Sequence, residues 1–362
     1  MPAPADTVYP ARTRCGLPLE PGRGVFLPPF DERAALMEGL PAFPLPGTQP
    51  TGPQPDPELL ERAAGFAAPM GPAEPSTCEV EDRVVDGPHG PVPIRLYRSR
   101  EDLTHDAGPL PALLHIHGGG FFQGGLDGAD DLFRRGVAER VRCIIIAVDY
   151  HLCAPEGPHF PVPHDDCWAA LTWLREHAEE LGVDLARLAL SGGSAGANLA
   201  CGLALRARDE GVCVSQVLLY CPLVHGDPFP EASVELARTA GRVPVAMRFE
   251  SDAVTAMNTL YAGGPAQGLS PYAFPGNATD LTGFPPTYIE NCEMDDLRTS
   301  GEAFAARLRQ AGVEVECVLA AGVPHGHIGL TGAPMTSAHY DRMASRFALL
   351  STATYRPREP QS

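Results

Sequence analysis

The chain has 362 residues, of which 44% are hydrophobic and 20% are charged, so it can fold as one or two globular domains with a sizeable core. Its 27 basic and 45 acidic residues give a formal net charge of -18, which repels phosphate backbones and anionic lipids and argues against nucleic acid as a partner. Ten cysteines are scattered singly, several inside apolar runs, with no CxxC motif. This pattern predicts buried, reduced thiols in a cytoplasmic protein rather than a disulfide scaffold.

The first 75 residues are rich in proline and show no strand rhythm, although two segments, DERAALMEGL and PELLERAAGFA, have helical character. They lack the basic-then-apolar order of a signal peptide. No apolar run in the chain approaches the roughly 20 residues of a membrane span. We expect residues 1–75 to form the N-terminal part of a cap.

Strand and helix patterns alternate from Glu79 onward. The stretch VEDRVVDGPHGPVPIRLYRSR is typical of two strands joined by a turn, and six apolar, β-rich runs follow: PALLHIH, VRCIIIAVDY, LARLALS, VSQVLLYCPL, PPTYIENC and EVECVLAA. Between them, apolar residues recur at helical spacing, as at Trp168, Leu171 and Leu174, and the HDD at 164–166 predicts a solvated helix start. Apolar strands separated by helices predict a mainly parallel, eight-stranded sheet covered on both faces.

Residues 225–285 break this alternation, with a helical segment, MRFESDAVTAMNTLYAG, followed by a stretch rich in proline, glycine and asparagine. We expect this insertion to complete a helical cap over a catalytic core formed by residues 76–224 and 286–362. The aromatic residues of this cap favour an apolar pocket for uncharged groups, although they could equally pack the cap against the sheet. They are Phe26, Phe30, Phe43, Phe66, Phe229, Phe249, Tyr261, Tyr272 and Phe274.

A short strand-to-helix junction carries the first chemical motif. The strand LARLAL ends at Leu190 and a helical pattern begins near Ala197, so that GGSAG, a G-x-S-x-G motif, lies between them. In this motif a strained backbone holds the serine hydroxyl above the sheet, and the flanking glycines avoid collision with the strand and helix. Ser194 is therefore the candidate nucleophile, and the amide of Ala195 can donate to an oxyanion. An accidental turn of small residues is the alternative.

A run of glycines follows another strand. HGGG at 117–120 comes directly after PALLHI, and consecutive unshielded amides suit a tetrahedral oxyanion. The alternative is a loop that needs glycine only to turn tightly. Phe121 and Phe122 come next and are candidates for the substrate pocket, although a packing role is equally compatible with the sequence.

A serine nucleophile needs a base and an orienting carboxylate, and two late loops supply both. Asp295 and Asp296 follow the strand PPTYIENC, and His325 and His327 follow EVECVLAA. Active sites on open α/β sheets lie at the carboxyl ends of strands, where both loops are expected.

Together these motifs closely resemble the hormone-sensitive-lipase-like branch of the α/β-hydrolases, which contains many microbial carboxylesterases. The resemblance covers about residues 79–350 and implies the α/β-hydrolase fold, with a mainly parallel eight-stranded sheet, helices on both faces and a helical cap. Two motifs depart from the family pattern: D-Y-R-L-A-P-E is DYHLCAPE at 149–156, and GDSAGGN or GTSAGGN is GGSAGAN. Gly193 thus replaces a polar residue beside the nucleophile, with an effect that the sequence leaves open.

The resemblance also implies roles for individual residues. Ser194 would be the nucleophile, and Asp295 the acid, because it matches the position before the family's P-L-R, with Asp296 as the second choice. His325 in PHGH matches the family's base better than His327. The implied oxyanion donors are the amides of Gly119, Gly120 and Ala195.

The implied reaction is the hydrolysis of uncharged esters with short-to-medium acyl groups through an acyl-enzyme on Ser194, with no cofactor and no metal. The pairs His115 and His117 or His325 and His327 lack a third ligand in a pattern such as HExxH. An acyltransferase, a lactonase or another non-hydrolytic enzyme with the same triad is the main alternative. A receptor on an inactive hydrolase scaffold is disfavoured, because all three triad residues are present. The expected partner is a small-molecule ester rather than nucleic acid or a membrane, and a homodimer is the candidate assembly.

Overall fold

The computed structural model describes residues 30–42, 56–66, 68–98, 108–266 and 268–351. Eight strands form a single sheet, as the sequence predicts, and its order is β1-β2-β4-β3-β5-β6-β7-β8. β2 pairs antiparallel with β1 and β4, and the remaining pairs are parallel. The strands are β1 (Glu79–Gly87), β2 (Gly90–Arg98), β3 (Leu110–Ile116), β4 (Ile144–Val148), β5 (Val183–Gly193), β6 (Gln216–Tyr220), β7 (Thr287–Met294) and β8 (Val315–Pro324).

Helices cover both faces of this sheet. Successive side chains of a strand point to opposite faces, and because both sets are apolar, each face must be buried by helices. Two apolar clusters result. On β4, Ile144 and Ile146 pack in one cluster and Ile145 packs in the other. The α-helices in the described part of the chain are α1 (Phe30–Leu36), α2 (Pro57–Ala64), α3 (Ala129–Ala138), α4 (Val162–Glu176), α5 (Ala178–Leu181), α6 (Ala195–Asp209), α7 (Val234–Ala240), α8 (Ser251–Ala262), α9 (Arg298–Gln310) and α10 (Pro334–Ser351). Residues of α4, α6 and α9 belong to the first cluster, and residues of α3 and α10 to the second.

The strand order creates a crevice in the middle of the sheet. β3 lies between β4 and β5, so the chain leaves β3 toward one side of the sheet and leaves β5 toward the other. The helices that follow these two strands, α3 and α6, lie on opposite faces. In open α/β sheets such a reversal leaves room for a ligand at the carboxyl ends of the two strands. The HGGG and GGSAG turns follow these two strands.

The two segments expected to form a cap lie in different surroundings. Of residues 1–75, the described part includes Phe30, which is buried in the cluster of α3 and α10, and Met70, whose N–H donates to the Thr331 carbonyl over 2.8 Å. The predicted cap residues Phe26 and Phe43 lie outside the described residues. Within 225–285, α8 lies in the predicted helical segment, and α7 is a further helix that precedes it. No helix in the described ranges combines the length and apolarity needed to cross a bilayer.

Residues 164–166 lie near the start of a helix, as predicted, but the prediction that they are solvated is wrong for two of them. His164 and Asp166 are buried within α4, which begins earlier, at Val162. The Asp166 carboxylate accepts a hydrogen bond from the His151 N–H at 2.8 Å and pairs with the His151 ring at the same distance. The carboxylate therefore anchors the DYHLCAPE loop. His151, which makes both contacts, stands at the position of the arginine in the D-Y-R-L-A-P-E motif.

Candidate active site

The GGSAG turn holds Ser194 in a backbone conformation that few non-glycine residues adopt. β5 ends at Gly193 and α6 begins at Ala195, so Ser194 alone joins them, with φ 55° and ψ -120°. A Cβ on Gly192 would lie 2.4 Å from the Gly196 backbone, and one on Gly196 would lie 2.2 Å from the Ile116 carbonyl oxygen. The small residues of this turn are therefore explained by close approach of strand, helix and neighbouring strand.

The Tyr220 ring fills the space beside Gly193. This contact explains the glycine, whose effect the sequence left open. A Cβ on Gly193 would lie 2.0 Å from Cε2 of the Tyr220 ring. The Tyr220 hydroxyl donates to Asp130 over 2.6 Å, and the same carboxylate oxygen lies 3.0 Å from Nε2 of His115. A buried aromatic ring, held by a polar network, thus occupies the space into which a side chain at position 193 would extend.

We expect Gly193→Ala to destabilise the protein by about 1–3 kcal/mol, since the new methyl group must displace a buried, hydrogen-bonded ring. Thermal unfolding measures this loss, and adding Tyr220→Leu to Gly193→Ala should recover part of it as a non-additive interaction. Gly329→Ala is the control, because a Cβ there would meet only the Ala129 Cβ at 3.7 Å. Equal effects of the two alanine substitutions would contradict this packing.

Three side chains from three strand ends form a continuous hydrogen-bonded chain. Nε2 of His325 lies 3.1 Å from Oγ of Ser194, and Nδ1 lies 2.8 Å from Oδ2 of Asp295. The other Asp295 oxygen accepts the Leu297 N–H at 3.0 Å, which fixes the carboxylate. Asp295 follows β7 and His325 follows β8, both at the sheet edge where β5 presents Ser194.

The alternative acid and base have other partners. Asp296 accepts two hydrogen bonds from the Arg248 guanidinium, both at 2.9 Å, and one from the Phe249 N–H at 2.9 Å. His327 is buried, with Nδ1 3.4 Å from Sγ of Cys292. The structure therefore brings Asp295 and His325 to Ser194, while Asp296 ties the inserted segment to the loop that carries Asp295.

The environment of His325 favours its charged form. Burial disfavours the imidazolium, but the charges and hydrogen bonds of Asp295 and Cys221 together outweigh burial and raise the pKa of His325 well above the usual 6.5. The Asp295 carboxylate also fixes the tautomer, because the nitrogen facing it must carry a proton. The other nitrogen can then accept the Ser194 proton only when the ring is neutral.

The acidic limb of kcat/KM is accordingly expected above pH 6.5, since His325 must lose its proton before it can act as a base. Activity falls as the pH drops through this raised pKa. The profile should be recorded with p-nitrophenyl acetate at the isosbestic wavelength, because p-nitrophenol itself titrates near neutral pH. A limb clearly below pH 6.5 would show that the charges and hydrogen bonds around His325 do not outweigh its burial.

The HGGG turn packs directly against the nucleophile turn. A Cβ on Gly118 would lie 2.9 Å from the Gly193 carbonyl oxygen. Gly119 and Gly120 have φ of 114° and 60°, in the region that favours glycine, and a Cβ on Gly119 would lie 2.0 Å from the Gln123 carbonyl oxygen. Ala195 contributes the first amide of α6, at the positive end of the helix dipole. The three predicted oxyanion donors thus belong to two turns in contact.

The two phenylalanines after HGGG lie in different environments. Phe121 has φ 71° and is fully buried, with its ring stacked on Tyr261 of α8 at 4.0 Å between centroids. Phe122 is half-buried beside Gly120. Phe249 was predicted only as one of the aromatic residues of the cap. Its ring packs edge to face on the His325 ring, with 4.6 Å between the centroids. No local motif marks Phe249 or Arg248, because their partners lie more than forty residues away.

The remaining histidines of the HGGG strand have structural partners. His115 lies 2.8 Å from Oγ of Ser191 through Nδ1, in addition to its contact with Asp130. His117 stacks on Tyr150 with 4.3 Å between ring centroids, and its Nδ1 lies 2.7 Å from the Gly118 carbonyl oxygen. Both rings are therefore engaged in positioning the turn rather than paired with each other.

Comparison with known proteins gives one consistent result. A family model described as the alpha/beta hydrolase fold matches residues 113–329. Esterase LipI of Mycobacterium tuberculosis is 36% identical over 267 residues, covering 73% of this chain and 79% of the relative. Ethyl acetate hydrolase of Pseudomonas putida is 37% identical over 243 residues, covering 65% and 70%. A solved structure of a hyperthermophilic esterase from Pyrobaculum calidifontis has a TM-score of 0.72 and 28% identity, covering 91% of this chain and all of the other.

The match thus includes the three strand ends that carry Ser194, Asp295 and His325. It extends over more than half of the chain, and relatives above 30% identity are matched over more than two thirds of their length. On these grounds the chain belongs to the hormone-sensitive-lipase-like branch of the α/β-hydrolase fold family.

Proposed function

We propose that the protein is a serine carboxylesterase that hydrolyses uncharged esters with short-to-medium acyl groups through an acyl-enzyme on Ser194. The observation that carries this proposal is the chain of two hydrogen bonds, 3.1 Å and 2.8 Å long, from Ser194 through His325 to Asp295. The matched relatives also carry the names of ester hydrolases: one is named an esterase and another an ethyl acetate hydrolase. The reaction class is therefore carboxylic ester hydrolysis.

The proposed mechanism follows from these contacts. Nε2 of neutral His325 accepts the Ser194 proton as Oγ attacks the ester carbonyl carbon, and Asp295 stabilises the imidazolium that forms. The amides of Gly119, Gly120 and Ala195 donate to the oxyanion, where each donor contributes on the order of a hundredfold in rate. His325 then protonates the leaving alcohol. Water, activated by the same ring, releases the acid and regenerates Ser194.

The preference for uncharged esters rests on the surroundings of the triad. Phe249 packs on His325 and half-buried Phe122 lies beside the oxyanion turn, so apolar groups flank the reacting atoms. The net charge of -18 disfavours approach of anionic substrates. One matched relative is named for ethyl acetate, a short uncharged ester, which supports a short acyl group here.

An acyl-length series tests the substrate class. Hydrolysis of p-nitrophenyl esters from acetate to about decanoate should show the highest kcat/KM among the short and medium chains. An added alcohol should leave the yield of free acid nearly unchanged, whereas an acyltransferase would convert most of the acyl group into a new ester. A dominant transfer product, or hydrolysis restricted to the longest chain, would replace this proposal.

We extend the proposal to the cap, the compartment and the assembly. Residues 225–285 would form the cap insertion, since Arg248 ties them to Asp296 and Tyr261 of α8 stacks on Phe121. Thiols buried in the core, such as Cys167 and Cys201, suit the reducing cytoplasm. A homodimer is a prediction that light scattering on the purified protein would check.

A further inference from the structure

Two cysteines that the proposed reaction does not use lie beside the triad. Cys221 directly follows β6 and Cys292 lies in β7, the adjacent parallel strand. Their side chains are almost completely buried. The two sulfur atoms and a carboxylate oxygen of Asp295 all lie within 4.8 Å of one another. Two soft sulfur donors and one carboxylate oxygen of the candidate catalytic acid thus lie close together.

The backbone at Cys221 is held in a strained conformation. Phe121, Ser194 and Cys221 are the non-glycine residues with positive φ in the described ranges, and φ of Cys221 is 37°. All three surround the catalytic centre, where such strain is typically retained for function. The Cys221 N–H donates to the Glu290 carbonyl over 2.8 Å, which fixes this conformation, and Sγ lies 3.9 Å from Nε2 of His325.

These separations suit a tetrahedral soft cation. With Zn–S near 2.3 Å and Zn–N near 2.0–2.1 Å, a sulfur and a nitrogen ligand of one zinc ion stand about 3.6 Å apart. Cys221 and His325 are 3.9 Å apart, and Cys292 and His327 are 3.4 Å apart. A histidine nitrogen therefore lies near each sulfur, at a distance from which small rotations could supply a fourth ligand.

We propose that Cys221, Cys292 and Asp295 form a binding site for a soft divalent cation such as Zn²⁺ or Cd²⁺, and that its occupation inhibits the enzyme reversibly. A cation bound here withdraws the Asp295 carboxylate from His325 and places positive charge beside the ring. The imidazolium that must form during catalysis then loses its stabilisation. The inhibition rests on the proposed esterase function, but the binding of the cation does not.

Binding exchanges protons for the cation. Each thiol loses its proton to solvent as its sulfur joins the cation as a thiolate, so affinity should fall with decreasing pH. The charged and titratable groups around the two sulfurs include His325, Asp295, His327, Glu290, Arg342 and Tyr220.

A second cluster of candidate ligands does not suit a cation. Glu290, His327 and His339 also converge in the interior. The Glu290 carboxylate, however, already accepts hydrogen bonds from the Arg342 guanidinium, one of them at 2.8 Å, and lies 3.0 Å from the His339 ring. The fixed positive charge of Arg342 would repel a metal ion there. In the cysteine cluster, Cys221 and Cys292 lie near the His325 and His327 rings, and His325 links the cluster to Ser194.

Cadmium titration of the intact protein, reduced with a phosphine that binds metals weakly, tests the site without reference to activity. We expect one equivalent of Cd²⁺ to produce a near-ultraviolet cadmium–thiolate charge-transfer band. Cys292→Ala should weaken the band to half or less, whereas Cys213→Ala, which removes an exposed thiol, should titrate like the wild type. An unchanged band in Cys292→Ala would overturn the proposed site.

Inhibition is measured on the same samples, each variant relative to its own metal-free rate. Zn²⁺ should abolish p-nitrophenyl acetate hydrolysis by the wild type, and a chelator should restore it. Cys292→Ala should raise the half-inhibiting Zn²⁺ concentration by about tenfold or more. Losing a group that only hydrogen-bonds to a metal ligand already weakens metal binding by about that factor, and Cys292 is a proposed ligand itself. Equal inhibition of the two proteins would refute the inhibitory role. If the protein hydrolysed no ester at all, the cadmium band would still decide whether the site exists.

Discussion

Replacing Ser194 with alanine is expected to lower kcat for p-nitrophenyl acetate by about 10⁴-fold or more, because the acyl group then has no oxygen to which it can bind. The substrate can still occupy the cleft, so KM should change little by comparison. Ser194 joins β5 to α6 with an unusual backbone, and alanine is smaller than serine, so folding should be retained. Steady-state kinetics, together with circular dichroism as a check of folding, measure this effect.

Ser191→Ala is the matched control within the same stretch of sequence. Its Oγ lies 2.8 Å from Nδ1 of His115, whereas His325 lies 3.1 Å from Oγ of Ser194. Removing the Ser191 hydroxyl should cost about 1–3 kcal/mol of unfolding free energy, because Nδ1 of buried His115 then loses its hydrogen-bond partner. Activity should be retained within a few-fold. If Ser191→Ala abolished activity and Ser194→Ala did not, the nucleophile would be wrongly assigned.

Asp295→Asn is expected to lower kcat by about 10⁴-fold, whereas Asp296→Asn should leave kcat within about tenfold of the wild type. The amide cannot stabilise the imidazolium of His325, and its NH₂ group would favour the wrong tautomer of the ring. Asp296 instead holds Arg248, so its loss should loosen the inserted segment and affect KM or thermal stability. Kinetics and thermal unfolding on both variants separate the two roles.

The two aspartates are adjacent in the chain, so this pair of variants controls for local disturbance. Both substitutions are isosteric and remove one negative charge from the same loop. A large loss of kcat in Asp296→Asn, with Asp295→Asn nearly unaffected, would reverse the assignment of the acid. Equal losses in both would indicate that the loop tolerates no change and would leave the hydrogen bond between Asp295 and His325 without a special part in catalysis.

Most of the sheet could be predicted because its signals are local. Parallel strands covered on both faces need nearly continuous apolar runs, and each of the six apolar runs in the sequence became a strand, as did the two predicted strands before them. The GGSAG turn was recognisable for a similar reason, since only glycine permits the close approach found at Gly192 and Gly196. The choice of Asp295 over Asp296 depended on family resemblance, because adjacent carboxylates on one loop look alike in a sequence.

Other features depend on which strands become neighbours. The packing of Tyr220 against Gly193 requires β5 and β6 to pair in one register, in which these two residues stand side by side. Cys221 and Cys292 meet only because β6 and β7 are adjacent, although 70 residues separate them. The burial of Asp166 was missed because a carboxylate near a helix start normally faces solvent. Here its partner, His151, comes from a preceding loop.

The three strained residues show how the fold maintains the site. Phe121, Ser194 and Cys221 each adopt a positive φ, which costs on the order of 1–3 kcal/mol and persists only where the surroundings enforce it. Phe121 is held by stacking on Tyr261, and the Ser194 N–H donates to the Tyr220 carbonyl over 3.1 Å. The same packing that explains the small residues of the GGSAG turn therefore also holds the candidate nucleophile in position.

Active-site labelling tests the central claim, that Ser194 is the acylated nucleophile, most directly. The wild type should react with a fluorophosphonate to one equivalent, and mass spectrometry of the digested protein should find the label on the peptide that contains Ser194. Ser194→Ala should remain unlabelled, and acid pH, at which His325 is protonated, should slow labelling of the wild type. Stoichiometric labelling of Ser194→Ala, or a label located on another residue of the wild type, would contradict the account.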